Sequence, residues 1–247
     1  MTVTVGVSLK MYFGHEQARQ WFAAVAELPA RPGVELFVIP SFLAIPAALE
    51  RFSGTSVTVG AQDLFWEDNG AFTGEISGAE LAELGVGVVE VGHAERRRLF
   101  GETEEVVALK TAAALRNGIA PVLCIGETVR GTPDEAAAHC LAQLSSALEA
   151  APAGRVIVAY EPVWAIGAPE PAPAEYIREV TSWLRRALTA LPGRDGSAVI
   201  YGGSAGPGLL TELGADVDGV FLGRFAHDVS ALAAVLDEAA ALGESAR

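Results

Sequence analysis

The chain is poor in lysine. Of its 17 basic residues only Lys10 and Lys110 are lysines, and the rest are arginines. Drift toward arginine explains this equally well as a site where a compact ammonium fits and a planar guanidinium does not. Cysteine is nearly absent too. The two present, Cys124 and Cys140, suit a reducing compartment and leave no Cys/His spacing for a metal. Cys124 lies in the run Pro121-Val122-Leu123-Cys124-Ile125 and reads as a small buried hydrophobe. No run of about 18 apolar residues occurs, so no transmembrane helix is expected. The start, Met1-Thr2-Val3-Thr4-Val5-Gly6, lacks the basic region and apolar core of a signal peptide and reads as a strand. A cytoplasmic location is the resulting expectation. Positive charge is in deficit, with a net charge of -14. That excess argues against nucleic acid or an anionic membrane as partner. An anionic small substrate would need a local patch of opposite potential.

What the chain does have is apolar material in short pieces. It is 247 residues long and 51% hydrophobic, enough for one large core. β-Branched runs recur at residues 3–9, 34–39, 57–61, 86–91, 119–125, 156–159, 198–201 and 217–222. Between them the apolar spacing turns helical, most clearly over 17–28, 103–117, 134–150 and 174–191. Strand alternating with helix implies parallel strands and right-handed crossovers. Eight repeats without a linker predict one (β/α)₈ barrel domain over 1–247. An open doubly wound sheet would need a glycine-rich turn after the first strand, and Ser8-Leu9-Lys10-Met11 is not one.

In such barrels the chemistry sits at the C-terminal ends of the strands. Lys10 follows the first run, and His93 and Glu95 the fourth. Glu127 follows the fifth, Glu161 the sixth, Ser204 the seventh, and Gly223 with Arg224 the eighth. Glu161, among Tyr160, Val163, Trp164 and Ile166, gains basicity when water leaves; the alternative is a solvated loop acid. His93 precedes a helix start whose amides would keep its ring neutral; the alternative is a buried cap. The turns Tyr201-Gly202-Gly203-Ser204-Ala205-Gly206 and Gly219-Val220-Phe221-Leu222-Gly223-Arg224 offer backbone amides to phosphate. Arg224 either adds a charge-assisted bond there or pairs with a nearby acid.

Several of these segments together resemble the triosephosphate isomerases. They are Gly70-Ala71-Phe72-Thr73-Gly74-Glu75-Ile76-Ser77, Gly92-His93-Ala94-Glu95-Arg96-Arg97, Leu123-Cys124-Ile125-Gly126-Glu127-Thr128, Ala159-Tyr160-Glu161-Pro162-Val163-Trp164-Ala165-Ile166-Gly167 and Tyr201-Gly202-Gly203-Ser204. The resemblance implies a cofactor-free isomerase of a small sugar phosphate, placed in glycolysis, gluconeogenesis or related carbohydrate metabolism. It implies that Glu161 moves the proton, neutral His93 polarises the oxygens, Lys10 stabilises the enediolate and Glu95 supports the site from beneath. It implies a lid over Pro162, Val163, Trp164, Ala165, Ile166, Gly167 and Ala168, with phosphate on the amides of Gly167, Ser204 and Gly223. It also implies a homodimer in which the Thr73 loop enters the partner.

The departures from the family pattern fall around the substrate. Ser8 stands where asparagine is usual, Ala94 replaces a serine, Pro169 follows the lid, and Arg224 replaces a glycine. Proline should stiffen the lid hinge. A smaller Ser8 and a charged Arg224 suit a longer substrate, such as an erythrulose phosphate giving an erythrose phosphate. Dihydroxyacetone phosphate and glyceraldehyde 3-phosphate are the alternative pair. Two other readings stand beside these: a sugar-phosphate-binding barrel without turnover, and a Schiff-base aldolase using Lys10.

Overall fold

The computed structural model describes residues 2–245. Met1 and the last two residues of the expected 1–247 domain lie outside the described residues. Eight strands form the barrel: β1 Val3–Ser8, β2 Val34–Ile39, β3 Val57–Ala61, β4 Val88–Val91, β5 Ala120–Ile125, β6 Ile157–Tyr160, β7 Ala198–Tyr201 and β8 Gly219–Leu222. All pairings are parallel, and β1 bonds to both β2 and β8, so the sheet closes. The open-sheet alternative ends there. Val86 and Val217, expected to begin their strands, are buried but precede the paired segments.

Helices wrap the outside: α1 His15–Ala26, α2 Ile45–Phe52, α3 Gly78–Leu84, α4 Ala94–Phe100, α5 Glu104–Arg116, α6 Pro133–Leu148, α7 Ala174–Ala190, α8 Leu209–Leu213 and α9 Val229–Ser245. Local chemistry sets their ends. Thr132 and Glu135 form a reciprocal capping box at the start of α6, which satisfies amides that have no partner inside the helix. Thr103 caps α5 by accepting from the Val106 amide. The stretch Pro169 to Pro173 leads directly into α7, as a loop entering a helix rather than a linker.

Side chains alternate across each strand. In β1, Val3, Val5 and Val7 pack outward with the helices, while Gly6 and Ser8 face inward. The inward set is filled by Phe37, Ile39, Val88, Val122, Ile157 and Phe221, with others. A β-carbon on Gly6 would come within 2.2 Å of the Phe37 ring, so the interior is solid. Ser8, on an inward position above this layer, opens to the mouth at the strand C-termini, while Thr4 and Glu35 bond to each other at the opposite end.

Candidate active site

A cavity of about 650 Å³ opens at that mouth. Its walls include Ser8, Lys10, His93, Glu161, Gly167 and Arg224, brought from β1, β4, β6 and the loops after β6 and β8.

Lys10 is the one non-glycine residue with positive φ among the described residues, at 46°. Left-handed backbone is costly for a side chain with a β-carbon. The Gln62 amide nitrogen donates to the Lys10 carbonyl at 2.8 Å and holds the turn. Lys10 Nζ lies 2.9 Å from Glu95 Oε1. Burial disfavours its charge, but the Glu95 hydrogen bond and the fields of Glu161, Glu95 and Glu90 outweigh it and raise its pKa. An amine held as ammonium is a poor Schiff-base nucleophile, which weighs against the aldolase reading. The second lysine, Lys110, is buried between Asp63 and Glu102 at 2.7 and 2.6 Å. Both lysines thus sit enclosed by carboxylates.

His93 caps α4. Its Nδ1 accepts from the Glu95 backbone N–H at 3.1 Å, which leaves the ring proton on Nε2. Burial first, then the Lys10 charge, pushes its pKa down to about 4. The ring is therefore a neutral donor near pH 7. Nε2 faces two carboxyl groups, Glu161 Oε2 at 3.5 Å and Glu90 Oε1 at 3.9 Å.

Glu161 is 4% exposed, and its Oε2 is buried without a hydrogen-bond partner. Burial is the main reason its pKa rises to about 8; Glu90 adds repulsion and Lys10 opposes it. This is a desolvated carboxyl facing the cavity, not a solvated loop acid. Gly202 makes room for it: a β-carbon there would stand 2.8 Å from Oε1.

Glu95 lies at the rim with its side chain 42% exposed. The carboxyl beneath the ring is Glu90, and it was missed in the sequence. Glu90 is 3% exposed, accepts from Ser8 Oγ at 2.9 Å, and has its pKa raised to about 7 mainly by burial. Its signal was an acid on an inward position of the strand Val88-Val89-Glu90-Val91.

The loop after β6 is pinned at both feet. Glu127 accepts from Trp164 Nε1 at 2.7 Å and from the hydroxyls of Tyr160 and Tyr176 at 3.2 and 3.0 Å. At the far side the Ala172 N–H donates to Tyr201 Oη at 3.0 Å, and Ser204 Oγ donates to the Ala168 carbonyl at 2.7 Å. The backbone N–H groups of Gly167, Ser204 and Gly223 donate to no acceptor among the described residues. Arg224 reaches to 3.8 Å from the β-carbon position of Gly167 and forms no ion pair with a carboxylate among the described residues. Free amides and a free guanidinium at one mouth are what an anion needs.

Thr73 is exposed on a loop whose neck is closed by the bridge between Phe65 and Ser77. Phe65 stacks with Trp66 and Phe72, at centroid distances of 4.0 and 4.6 Å. Phe72 and Met11 stay 42% and 93% exposed.

A sequence profile of the family described as triosephosphate isomerase matches residues 3–239. An L-erythrulose-1-phosphate isomerase of Pectobacterium atrosepticum is 53% identical over 254 residues, covering 99% of this chain and 98% of its own. An enzyme of the same description from Rhizobium etli is 43% identical over 239 residues, covering 93% of this chain and 89% of its own. A triosephosphate isomerase of Moorella thermoacetica is 40% identical over 239 residues, covering 92% of this chain and 95% of its own.

Proposed function

We propose that this chain, which belongs to the triosephosphate isomerase family, isomerises a short phosphorylated ketose, with a four-carbon tetrulose 1-phosphate as its substrate. The observation that carries the chemistry is the meeting of Glu161, His93 and Lys10 at one cavity. Glu161 takes the proton from the carbon beside the carbonyl that bears hydrogen and hydroxyl. The Nε2–H of His93 polarises the carbonyl oxygen, and Lys10 balances the enediolate charge. A glutamate base paired with a neutral histidine is the established arrangement in triosephosphate isomerase itself. The distances and pKa directions above agree with it.

The length of the substrate is supported by the relatives named for L-erythrulose 1-phosphate, by the short Ser8 and by the unpaired Arg224. In dihydroxyacetone phosphate the reacting carbon is terminal. In a tetrulose 1-phosphate it is C3, so the enediolate spans C2 and C3 and the carbonyl moves to C3. Erythrose 4-phosphate belongs to the 4-phosphate of the same ketose, and aldose formation to the triose pair. Turnover of L-erythrulose 1-phosphate and dihydroxyacetone phosphate by the purified protein tests the substrate. A higher kcat/KM for the tetrulose supports it, and an equal or higher value for the triose overturns it and returns the enzyme to glycolysis and gluconeogenesis.

The amides of Gly167, Ser204 and Gly223, with the Arg224 guanidinium, hold the phosphate. Residues 162–168 close as the lid, because water at an enediolate promotes phosphate loss and proton exchange. Glu95 positions Lys10 and His93 from the rim. The Thr73 loop, with Phe72 exposed beside it, enters a second copy to make a homodimer. Two buried unpaired cysteines suit a cytoplasmic location.

A further inference from the structure

The barrel interior beneath the cavity is apolar, with Ile39, Val88, Val122, Cys124 and Phe221 among its members. Glu90 interrupts it. Its one hydrogen bond among the described residues comes from Ser8 Oγ at 2.9 Å. A buried carboxyl with a single partner is costly, and a leucine would fill much the same volume without burying a polar group.

The placement accounts for the acid. Ser8 lines the cavity and Glu90 lies behind it. By giving its only proton to Glu90 Oε2, the Ser8 hydroxyl keeps only lone pairs for the cavity. It can then accept a hydrogen bond and cannot donate one. The short side chain also leaves space in front of itself. Glu90 Oε1, 3.9 Å from His93 Nε2, is too far for a hydrogen bond and remains a second acceptor beside the group that handles the carbonyl.

We infer that Ser8 and Glu90 form the subsite for the additional hydroxymethyl group that a tetrulose 1-phosphate carries on its reacting carbon, where dihydroxyacetone phosphate has only hydrogen. Ser8 meets the hydroxyl of that group. Glu90 is a positioning residue that keeps Ser8 an acceptor. The inference rests on the tetrulose reading. In that substrate the hydroxymethyl is bonded to the reacting carbon, so it lies beside Glu161 and His93, within reach of Ser8. A triose phosphate leaves the subsite empty.

The test is kcat/KM for L-erythrulose 1-phosphate and for dihydroxyacetone phosphate at pH 8, where Glu90, raised to about 7, is a carboxylate. Wild type is compared with Glu90→Leu, Glu90→Gln and Ser8→Ala. Ser8→Ala removes the reader and adds no bulk to the interior, although it takes from Glu90 its one hydrogen-bond donor, so it covers the case in which Glu90→Leu fails to fold. The tetrulose value falls ~10–100-fold in Glu90→Leu and Ser8→Ala, and the triose value changes less than about threefold. Glu90→Gln, which keeps an acceptor, recovers part of the loss. An equal fall for both substrates in Ser8→Ala and Glu90→Leu makes Glu90 purely structural and overturns the subsite. Wild type that turns over the triose but not the tetrulose overturns the substrate reading first, and the subsite with it.

Discussion

Gly202 and Glu161 occupy the same small volume: a β-carbon on Gly202 would lie 2.7 Å from Glu161 Cγ and 2.8 Å from its Oε1. The proposed base is thus positioned by an absent side chain on the neighbouring strand end. Gly202→Ala pushes the carboxyl off its line to the cavity. Misplacing a catalytic group by about 1 Å costs ~10²-fold, so kcat should drop ~10–100-fold. The melting temperature, read by circular dichroism, should change by only a few degrees.

The base also sets a pH dependence. Glu161 must be ionised to accept a proton, and its pKa is raised to about 8. The kcat/KM of the free enzyme should therefore rise with pH toward about 8 and level above it. Stability moves the other way. Between the ordinary carboxyl range and about 8 the folded protein holds protons on Glu161 and Glu90 that the unfolded chain has released. Folding thus loses stability as pH rises through that window. Glu161→Gln should melt a few degrees higher than wild type at pH 8.5, and the gain should shrink toward pH 5.

Lys10 carries a strained backbone as well as an ammonium, with φ at 46°. Lys10→Gly relieves the strain, because glycine adopts that conformation freely. Relief of ~1–3 kcal/mol of strain is opposed by the greater unfolded-state freedom of glycine, so the variant should fold with stability within ~1 kcal/mol of wild type, and lose kcat by ~10³-fold or more. Urea unfolding and steady-state kinetics check the two halves separately.

Trp164 and Glu127 fasten the first foot of the lid through the 2.7 Å bond from Nε1 to Oε1. Trp164→Phe removes the donor and keeps most of the packing. A looser lid admits water, so inorganic phosphate released per isomerisation should increase several-fold. Phosphate release measured beside isomer formation checks this, and an unchanged ratio would mean the lid is held elsewhere.

The proposed dimer has its own test. Thr73→Arg places a charge on the exposed loop tip, and sedimentation should shift from twice the 25.6 kDa chain mass toward one chain. Wild type sedimenting as a single chain contradicts the pairing.

Much of this was legible in the sequence for a physical reason. Parallel strands buried on both faces read as continuous apolar runs, so all eight were visible, along with the polar residues Lys10, His93 and Glu161 at their ends. What was hidden depends on side-chain direction and on partners far along the chain. Glu90 sits as an acid inside an apolar run, but nothing local identifies its partner, Ser8, 82 positions away. The resemblance implied that Glu95 supports the site from beneath, but its place in the first turn of α4 leaves its side chain partly exposed at the rim. The grip of Glu127 on Trp164, Tyr160 and Tyr176 joins three segments that only the closed barrel brings together.

The most direct measurement is deuterium uptake. Substrate incubated with enzyme in D₂O is followed by proton NMR, for wild type and for Glu161→Gln, with substrate affinity measured in parallel. The account predicts label at the carbon beside the carbonyl in wild type, and loss of labelling by ~10³-fold or more in the variant with affinity within a few-fold. Labelling that persists in Glu161→Gln would contradict it, because some other group would then be moving the proton.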